Sequence, residues 1–147
     1  MLNRLGEVFA SFHKHQVKYL VIGGIAAVLH GVPRATFDLD ILIEASDDNA
    51  QRLLEAMIEA RLGTATLIDA QELLSKEITI FQDRVQIDVQ TKTLGIEFET
   101  AWQHKETMTY QNRAFYVLSR EDLIASKRAA GRTVDLEDVR LLELGNE

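Results

Sequence analysis

The stretch from Tyr19 to Glu44 constrains the fold more than any other part of the chain. It opens with an apolar run that reaches Gly23-Gly24, and it closes with a run in which apolar residues alternate with aspartates. The pattern predicts a buried strand over 18–22, a short helix over 25–30 and a second strand over 37–43. A glycine pair at a strand-to-helix turn lets a phosphate group approach the backbone closely.

The second predicted strand carries Asp38 and Asp40, which are two residues apart. Since successive side chains of a strand point to opposite faces, both carboxylates leave one face and the neighbouring aliphatic residues leave the other. Two ionised carboxylates about 5 Å apart repel each other by roughly 3 kcal/mol at an effective dielectric constant of about 20. Such a pair requires a cation, or one member takes up a proton. Oxygen ligands on a rigid strand suit Mg²⁺, so we expect a magnesium site here.

A third carboxylate comes from a later segment. Residues 77–82 and 85–90 alternate well and are joined by Asp83-Arg84, which predicts a β-hairpin. In its second strand the apolar residues share one face and Asp88 lies on the other. We expect Asp88 to join Asp38 and Asp40. There it would bind a second metal ion or act as a general base on an acceptor hydroxyl.

Helical periodicity marks most of the remaining N-terminal half. Helices are predicted over 2–15, from an N-cap at Ser46 to about Arg61, and over 95–104. Residues 64–75 show neither the helical nor the strand periodicity. The helix from Ser46 is expected to end at Gly63 and to bury four apolar side chains. These are Leu53, Leu54, Met57 and Ile58.

The C-terminal part is predicted to hold two short strands and two helices. The strands cover 107–110 and 114–118, and a capping box at Ser119 opens a helix that Gly131 closes. The last helix is expected to start at Thr133 or Asp135. Its inward-facing residues are expected to be Leu136, Val139 and Leu142.

Composition indicates a soluble globular protein and excludes several kinds of site. The chain has 147 residues, of which 46% are hydrophobic and 27% charged, so we expect one domain spanning residues 1–147. It has no cysteine, which rules out disulfides and thiolate metal sites. The net charge of -7 makes free duplex nucleic acid an unfavourable partner. The longest apolar run, 19–29, is too short to span a bilayer, so we expect a cytoplasmic protein with no membrane partner.

Several cations could reach a bound triphosphate. Arg34 lies between the glycine pair and the aspartates, and Lys127 and Arg132 lie on or just after a predicted helix. Each is a candidate phosphate contact. The alternative is a loop cation for Arg34, and for the other two a solvated helix end where positive charge suits the dipole. We favour that second interpretation for Arg128.

Three motifs together resemble the nucleotidyltransferase superfamily with the DNA polymerase beta type of fold. They are Val21-Ile22-Gly23-Gly24, Asp38-Leu39-Asp40-Ile41 and Ile87-Asp88-Val89. The stretch 126–138 also resembles the tail of small bacterial and archaeal members, some of which take part in toxin–antitoxin or abortive-infection systems. The resemblance implies that Gly23 and Gly24 hold nucleotide phosphates, that Asp38 and Asp40 bind Mg²⁺, and that Asp88 completes the site.

The fold expected from these patterns is α/β: a small mixed β-sheet with helices packed mainly on one face and the site on the other. The resemblance implies attack of an acceptor hydroxyl on the α-phosphate of a nucleoside triphosphate, ATP among the candidates, with pyrophosphate leaving. The acceptor is left open among protein, RNA and small molecule.

Two other hypotheses remain open. The chain could be a non-catalytic nucleotide-binding or antitoxin-like module that acts through a partner protein, because it lacks the helical domain that holds acceptors in longer relatives. It could also be a structural domain whose aspartate pair only caps or meets solvent. The sequence leaves the nucleotide base and the oligomeric state open, a homo-oligomer included.

Overall fold

A computed structural model of the chain describes residues 2–145. The strands are β1 (Tyr19–Ile22), β2 (Leu39–Ile43), β3 (Ile78–Gln82), β4 (Gln86–Gln90), β5 (Glu106–Tyr110) and β6 (Arg113–Val117). The α-helices are α1 (Gly6–Lys14), α2 (Gly23–Leu29), α3 (Asp47–Glu59), α4 (Ala70–Leu74), α5 (Phe98–Gln103), α6 (Arg120–Ala130) and α7 (Thr133–Leu144). Two short 3₁₀ segments cover Leu2–Arg4 and Gly63–Leu67.

The strands form a six-stranded mixed sheet in the order β3-β4-β2-β1-β6-β5. Strand β2 is antiparallel to β1 and parallel to β4. In this register Asp40 is paired with Asp88, and Ile41 is paired with Val21 on one side and Val89 on the other. Side chains of paired residues leave the same face of a sheet, so the two carboxylates share one face. The predicted α/β class with a mixed sheet is confirmed.

The opposite face of the sheet holds the main core. Phe9 of α1 stacks on Phe115 of β6 with ring centroids 4.6 Å apart, and α3 packs alongside α1. The apolar residues that helix α3 buries lie on one face: Ala50, Leu53, Leu54, Ala56 and Met57. Full burial of one large apolar side chain contributes roughly 1.5–3 kcal/mol, so this layer anchors the sheet and leaves the carboxylate face open.

The end of α3 differs from the prediction. Leu53, Leu54 and Met57 are buried as predicted, but Ile58 is 45% exposed, at the edge of the buried face. The helix also ends before Gly63. Arg61, with φ of 65°, takes the left-handed conformation there, and Gly63 opens the 3₁₀ segment instead. The unassigned region 64–75 contains that segment and helix α4.

Element boundaries near the carboxylates also shift slightly. Helix α2 begins at Gly23 itself, two residues earlier than predicted, and β2 begins at Leu39, so Asp38 lies just before the strand. The predicted hairpin of β3 and β4 and the short β5–β6 pair are present, both antiparallel. None of the helices between residues 2 and 145 is both long and apolar enough to cross a membrane.

Asn49 of α3 holds the start of β1 to the end of β2. Its side-chain oxygen accepts a hydrogen bond from the Lys18 backbone N–H at 2.8 Å, and its amide nitrogen donates to the carbonyl oxygens of Lys18 and Glu44, both at 2.9 Å. The side chain is fully buried. Because β1 leads into the glycine pair and β2 carries Asp40, this bracket sets the spacing of the two strands.

We predict that Asn49→Leu lowers the free energy of unfolding by about 2–4 kcal/mol, because it leaves buried backbone groups without partners. Urea unfolding followed by circular dichroism measures the change. Gln51→Leu, an exposed substitution on the same helix, is the matched control and should change stability by less than about 0.5 kcal/mol. Equal effects of the two substitutions would contradict the structural role of Asn49.

Candidate active site

The eight residues predicted at the site all line one cavity of about 650 Å³. This volume is typical of ligand sites. The cavity opens on the carboxylate face of the sheet, beside the end of β1, the loop before β2, and the ends of α6 and α7. It is lined by Gly23, Gly24, Arg34, Asp38, Asp40, Asp88, Lys127 and Arg132. The structure therefore brings together groups that are as far apart in the sequence as Gly23 and Arg132.

Asp40 and Asp88 lie side by side because β2 and β4 run parallel with these residues in register. The pKa of Asp40 is raised to about 7, first by burial, then by the charge of Asp88, a hydrogen bond between the two carboxyl groups, and the charge of Asp38. Lys127 acts in the opposite direction. Asp88 also accepts a hydrogen bond from Gln86 Nε2 at 3.1 Å. With its pKa raised to about 7, Asp40 holds a proton below neutral pH, which relieves its repulsion with Asp88.

The donor set that faces the cavity fits a divalent cation bound together with a substrate. Within residues 2–145, no group of three or more His, Cys, Asp or Glu side chains is arranged to hold a metal ion by itself. The cavity instead offers the adjacent pair Asp40 and Asp88, with Asp38 close enough to shift the pKa of Asp40. Mg²⁺ commonly takes one or two protein carboxylates and completes its shell with water and substrate phosphates. The aspartates therefore suit a shared ion better than a closed protein cage.

The glycine pair has a steric requirement at both positions. Gly23 has φ of 68°, and a Cβ on it would overlap the Asp40 carboxylate. A Cβ on Gly24 would lie 2.7 Å from Thr36 Oγ1 and 3.2 Å from Arg34 Nη2. Because neither residue has a side chain, the Asp40 carboxylate can lie against Gly23 and the loop before β2 can lie against Gly24.

The three predicted cations are joined by two buried carboxylates of α7. Arg34 binds Asp138 through Nε at 3.1 Å and Nη2 at 2.9 Å. Lys127 Nζ lies 2.8 Å from Asp138 and 3.8 Å from Asp135, and Arg132 Nε lies 2.7 Å from Asp135. The chain of contacts ties the loop before β2 to α6 and α7.

The exposed fraction of the side chain differs sharply among the three cations. The side chain of Lys127 is 6% exposed and that of Arg34 33%, whereas that of Arg132 is 74% exposed. Burial by itself would raise the pKa of Asp135, but hydrogen bonds from Arg132 and the charges of Arg132 and Lys127 outweigh it and lower that pKa. Asp135 is therefore an ionised partner of these cations, and Arg132 is the cation with most freedom to turn toward a ligand.

Sequence reasoning missed Asp135 and Asp138 and mistook the buried face of α7. Leu136, predicted to face inward, is 51% exposed, whereas Val139 and Leu142 are buried as predicted. The buried stripe is Asp135, Asp138, Val139 and Leu142, with offsets of 3, 4 and 7 residues. That spacing was visible in the sequence. Aspartates at core positions of a helix, downstream of Lys127 and Arg132, were the signal of a buried ion-pair network.

Two other charged residues have structural partners. His30 Nε2 lies 2.8 Å from the Leu118 carbonyl oxygen, a structural contact between α2 and the end of β6. Arg128 is exposed and pairs with Glu143 on α7, in agreement with its interpretation as a surface cation. Neither residue lines the cavity.

The raised pKa of Asp40 predicts a pH-dependent stability. Below about pH 4 Asp40 is protonated in both the folded and the unfolded state, and its favourable contribution is complete. As the pH rises toward 7 the unfolded chain ionises freely but the folded one resists, so that contribution is lost. Without metal, Asp40→Asn should be more stable than wild type by about 3 kcal/mol at pH 8, relative to the difference at pH 4.5.

Urea unfolding in EDTA at pH 4.5, 6 and 8 tests this expectation. Asp48→Asn, which neutralises an exposed aspartate on α3, is the control and should give no such trend. A difference between Asp40→Asn and wild type that stays constant across the three pH values would show that Asp40 has an ordinary pKa.

Removing one buried carboxylate of α7 should be costly. Asp138→Asn leaves Lys127 buried with a weaker partner, and we expect the free energy of unfolding to fall by about 3 kcal/mol. The double variant Asp138→Asn/Lys127→Met should recover part of this loss, because it removes the uncompensated charge. Glu137→Gln is the control: it breaks an exposed pair with Arg140 and should cost less than about 1 kcal/mol. No recovery in the double variant would argue against charge compensation.

Solved structures with a similar fold are nucleotidyltransferases by description. A Thermotoga maritima protein assigned to the nucleotidyltransferases superposes with a TM-score of 0.60 at 17% identity, covering 99% of this chain and 93% of that one. The lincosamide antibiotic adenylyltransferase LnuA, with lincomycin bound, superposes with a TM-score of 0.53 at 16% identity, covering 97% and 96%. At these identities the likeness concerns the fold.

Sequence comparison gives the family. No curated protein matches the chain. A family model described as "Nucleotidyltransferase of unknown function (DUF6036)" matches residues 2–147, almost the whole sequence. The chain therefore belongs to this nucleotidyltransferase family.

Proposed function

We propose that this protein is a Mg²⁺-dependent nucleotidyltransferase that transfers a nucleoside monophosphate from a nucleoside triphosphate to an acceptor hydroxyl. The observation that carries the proposal is the pairing of Asp40 with Asp88 across parallel strands, directly beside a bare glycine turn. Carboxylates for a cation and backbone for a phosphate thus meet in one cavity. Membership of the family supports nucleotidyl transfer in general, and the magnesium ion, the base and the acceptor are part of the proposal.

The charge of the cavity supports a requirement for a divalent cation. Five acidic and four basic side chains from residues 2–145 line it, and Asp138 behind the lining adds a further negative charge. A triphosphate, itself strongly negative, would meet a site with no excess of positive charge. A divalent cation placed between the aspartates and the phosphates reverses this balance, since it neutralises charge on both.

The residues divide the reaction between them. Asp40 and Asp88, with Asp38 beside them, would hold Mg²⁺, which when bound polarises the α-phosphate and neutralises developing charge. Arg34, Lys127 and Arg132 would hold the phosphate oxygens from the opposite side.

The bond changes follow from this placement. The acceptor oxygen would form a new bond to the α-phosphorus, the bond from that phosphorus to the β-bridging oxygen would break, and pyrophosphate would leave. Asp88 would accept the acceptor proton as general base.

The acceptor would enter on the side of Asp88 away from the glycine pair. Ile78 of β3 and Leu94 line that part of the cavity and are 45% and 65% exposed. Apolar side chains left open at a cavity wall favour an acceptor with an apolar portion next to its hydroxyl. LnuA is described as acting on a lincosamide antibiotic, and a small molecule remains one option for this chain beside protein and RNA.

One observation favours the alternative of a non-catalytic nucleotide-binding module that acts through a partner protein, as in an antitoxin-like role. Each predicted phosphate-binding cation already has a carboxylate partner in α7. Such a module would bind nucleotide or partner without transferring label. The same assay therefore separates the two functions.

We predict that wild-type protein with Mg²⁺ and α-³²P-labelled ATP, GTP, CTP or UTP transfers label to an acceptor in a lysate of its host. Asp38→Asn and Asp40→Asn should each reduce the rate by about a hundredfold or more, because both remove charge from the metal site. Asp48→Asn should leave it unchanged. Transfer that is equal in wild type and in both variants, or that persists in EDTA, would refute the mechanism.

A further inference from the structure

We propose that the hydroxyl of Thr36 binds a phosphate oxygen of the nucleotide, at the end of the site that holds the departing pyrophosphate. The inference rests on the proposed function and adds a residue to it. Thr36 lies in the loop before β2 and lines the cavity together with Arg34 and Asp38. The space over Gly24, the unused hydroxyl of Thr36 and the order of groups along the cavity all support binding of a phosphate oxygen by Thr36.

The space that a side chain on residue 24 would occupy is taken by the loop. A Cβ there would lie 2.7 Å from Thr36 Oγ1 and 3.2 Å from Arg34 Nη2, both closer than ordinary contact allows. Gly24 does not need its freedom of φ, unlike Gly23. Glycine at 24 is therefore required for room, and the room is used to bring a hydroxyl and a guanidinium against the backbone.

The Thr36 hydroxyl is available to a ligand. Within the described residues 2–145 it makes no hydrogen bond, and the side chain is only half-buried on the cavity wall. Arg34 beside it is held by Asp138 through Nε and Nη2, which fixes the plane of the guanidinium next to Gly24. A fixed cation and a free hydroxyl side by side form a donor pair suited to a phosphate oxygen.

The order of groups along the cavity assigns that phosphate. Gly23 abuts Asp40, which is paired with Asp88, whereas Gly24 abuts Thr36 and Arg34. A chain of phosphates that lies over the two glycines has the carboxylates at one end and the donor pair at the other. The reacting α-phosphate belongs near the carboxylates, so Thr36 meets the β- or γ-phosphate.

The experiment measures binding of Mg²⁺–pyrophosphate, which needs no knowledge of the base, by isothermal titration calorimetry. Thr36→Val keeps the shape and removes the hydroxyl, and Thr36→Ser keeps the hydroxyl. Thr36→Val should weaken pyrophosphate binding by about tenfold or more, the value of one hydrogen bond to a charged group, and Thr36→Ser by less than about threefold. Binding of Mg²⁺ with a nucleoside monophosphate should stay within about twofold in both variants.

A second arm moves the hydroxyl to the other side of the same space. Gly24→Ser alone should weaken binding, because its Cβ collides with Thr36. Gly24→Ser/Thr36→Ala removes the 2.7 Å contact with Thr36 Oγ1 and returns a hydroxyl, and the contacts of 3.2 Å with the Cβ of residue 36 and with Arg34 Nη2 need only a shift of a few tenths of an ångström. The double variant should therefore bind pyrophosphate more tightly than either Gly24→Ser or Thr36→Ala alone. This arm holds even if Thr36→Val does not fold.

Each outcome has a distinct meaning. If wild type binds pyrophosphate and Thr36→Val binds it equally, Thr36 is not a phosphate ligand and the proposed function is untouched. If Thr36→Val weakens pyrophosphate and monophosphate binding alike, its role is structural and the inference is wrong. If wild type binds neither pyrophosphate nor any of the four triphosphates with Mg²⁺, the proposed function fails and this inference fails with it.

Discussion

Parallel pairing of β2 with β4 is the interaction on which the rest of the site depends. It places Asp40 next to Asp88 in the middle of a sheet, where the surrounding strands leave little freedom to separate them. Burial of Asp40 and its apposition to Asp88 together raise the pKa of Asp40. A fold that keeps two carboxylates in contact must supply either a proton or a cation, and the cavity beside them has room for the second.

The remaining elements of the site place positively charged side chains on the wall of the cavity opposite this carboxylate pair. The loop before β2, the buried face of α6 and the start of α7 bring Arg34, Lys127 and Arg132 to the far wall. The buried carboxylates of α7 hold these cations in place even without a ligand. Such pairing adds little net stability, since desolvation offsets attraction, but it fixes where the charges point. The network therefore sets the positions of the charged groups in the cavity and contributes little to the stability of the fold.

The strands and carboxylates could be predicted from the sequence because their signals are local. Alternation around Asp38, Asp40 and Asp88 is set by the two-residue period of a strand, and all three line the cavity. The contact of Asp40 with Asp88 needed the register of two strands that lie far apart in sequence, and alternation alone leaves that register open. The alternation indicates which face of each strand carries its aspartates, and only the pairing of strands in the sheet shows that Asp40 lies next to Asp88.

The parts that sequence analysis missed depend on tertiary packing. Asp135 and Asp138 occupy core positions of α7, and an aspartate at such a position is stable only when a buried cation such as Lys127 lies opposite. Without that partner in view, Leu136 was the natural choice for the core, and it proved to be exposed. Thr36 gave no pattern at all. Its importance appears only from the space over Gly24, which is a property of the folded loop.

Under the proposed function, the cation network and the carboxylate pair would make the metal and the nucleotide bind as a unit. Arg34 and Lys127 are already balanced by α7, so phosphates gain less from them than from free cations, while the aspartates repel phosphates unless a divalent ion intervenes. Each ligand therefore removes the main electrostatic obstacle to the other. Binding free energies are reciprocal, so the factor by which Mg²⁺ tightens the nucleotide must equal the factor by which the nucleotide tightens Mg²⁺. The proposed binding would in this way let a protein with a net charge of -7 hold a polyanion.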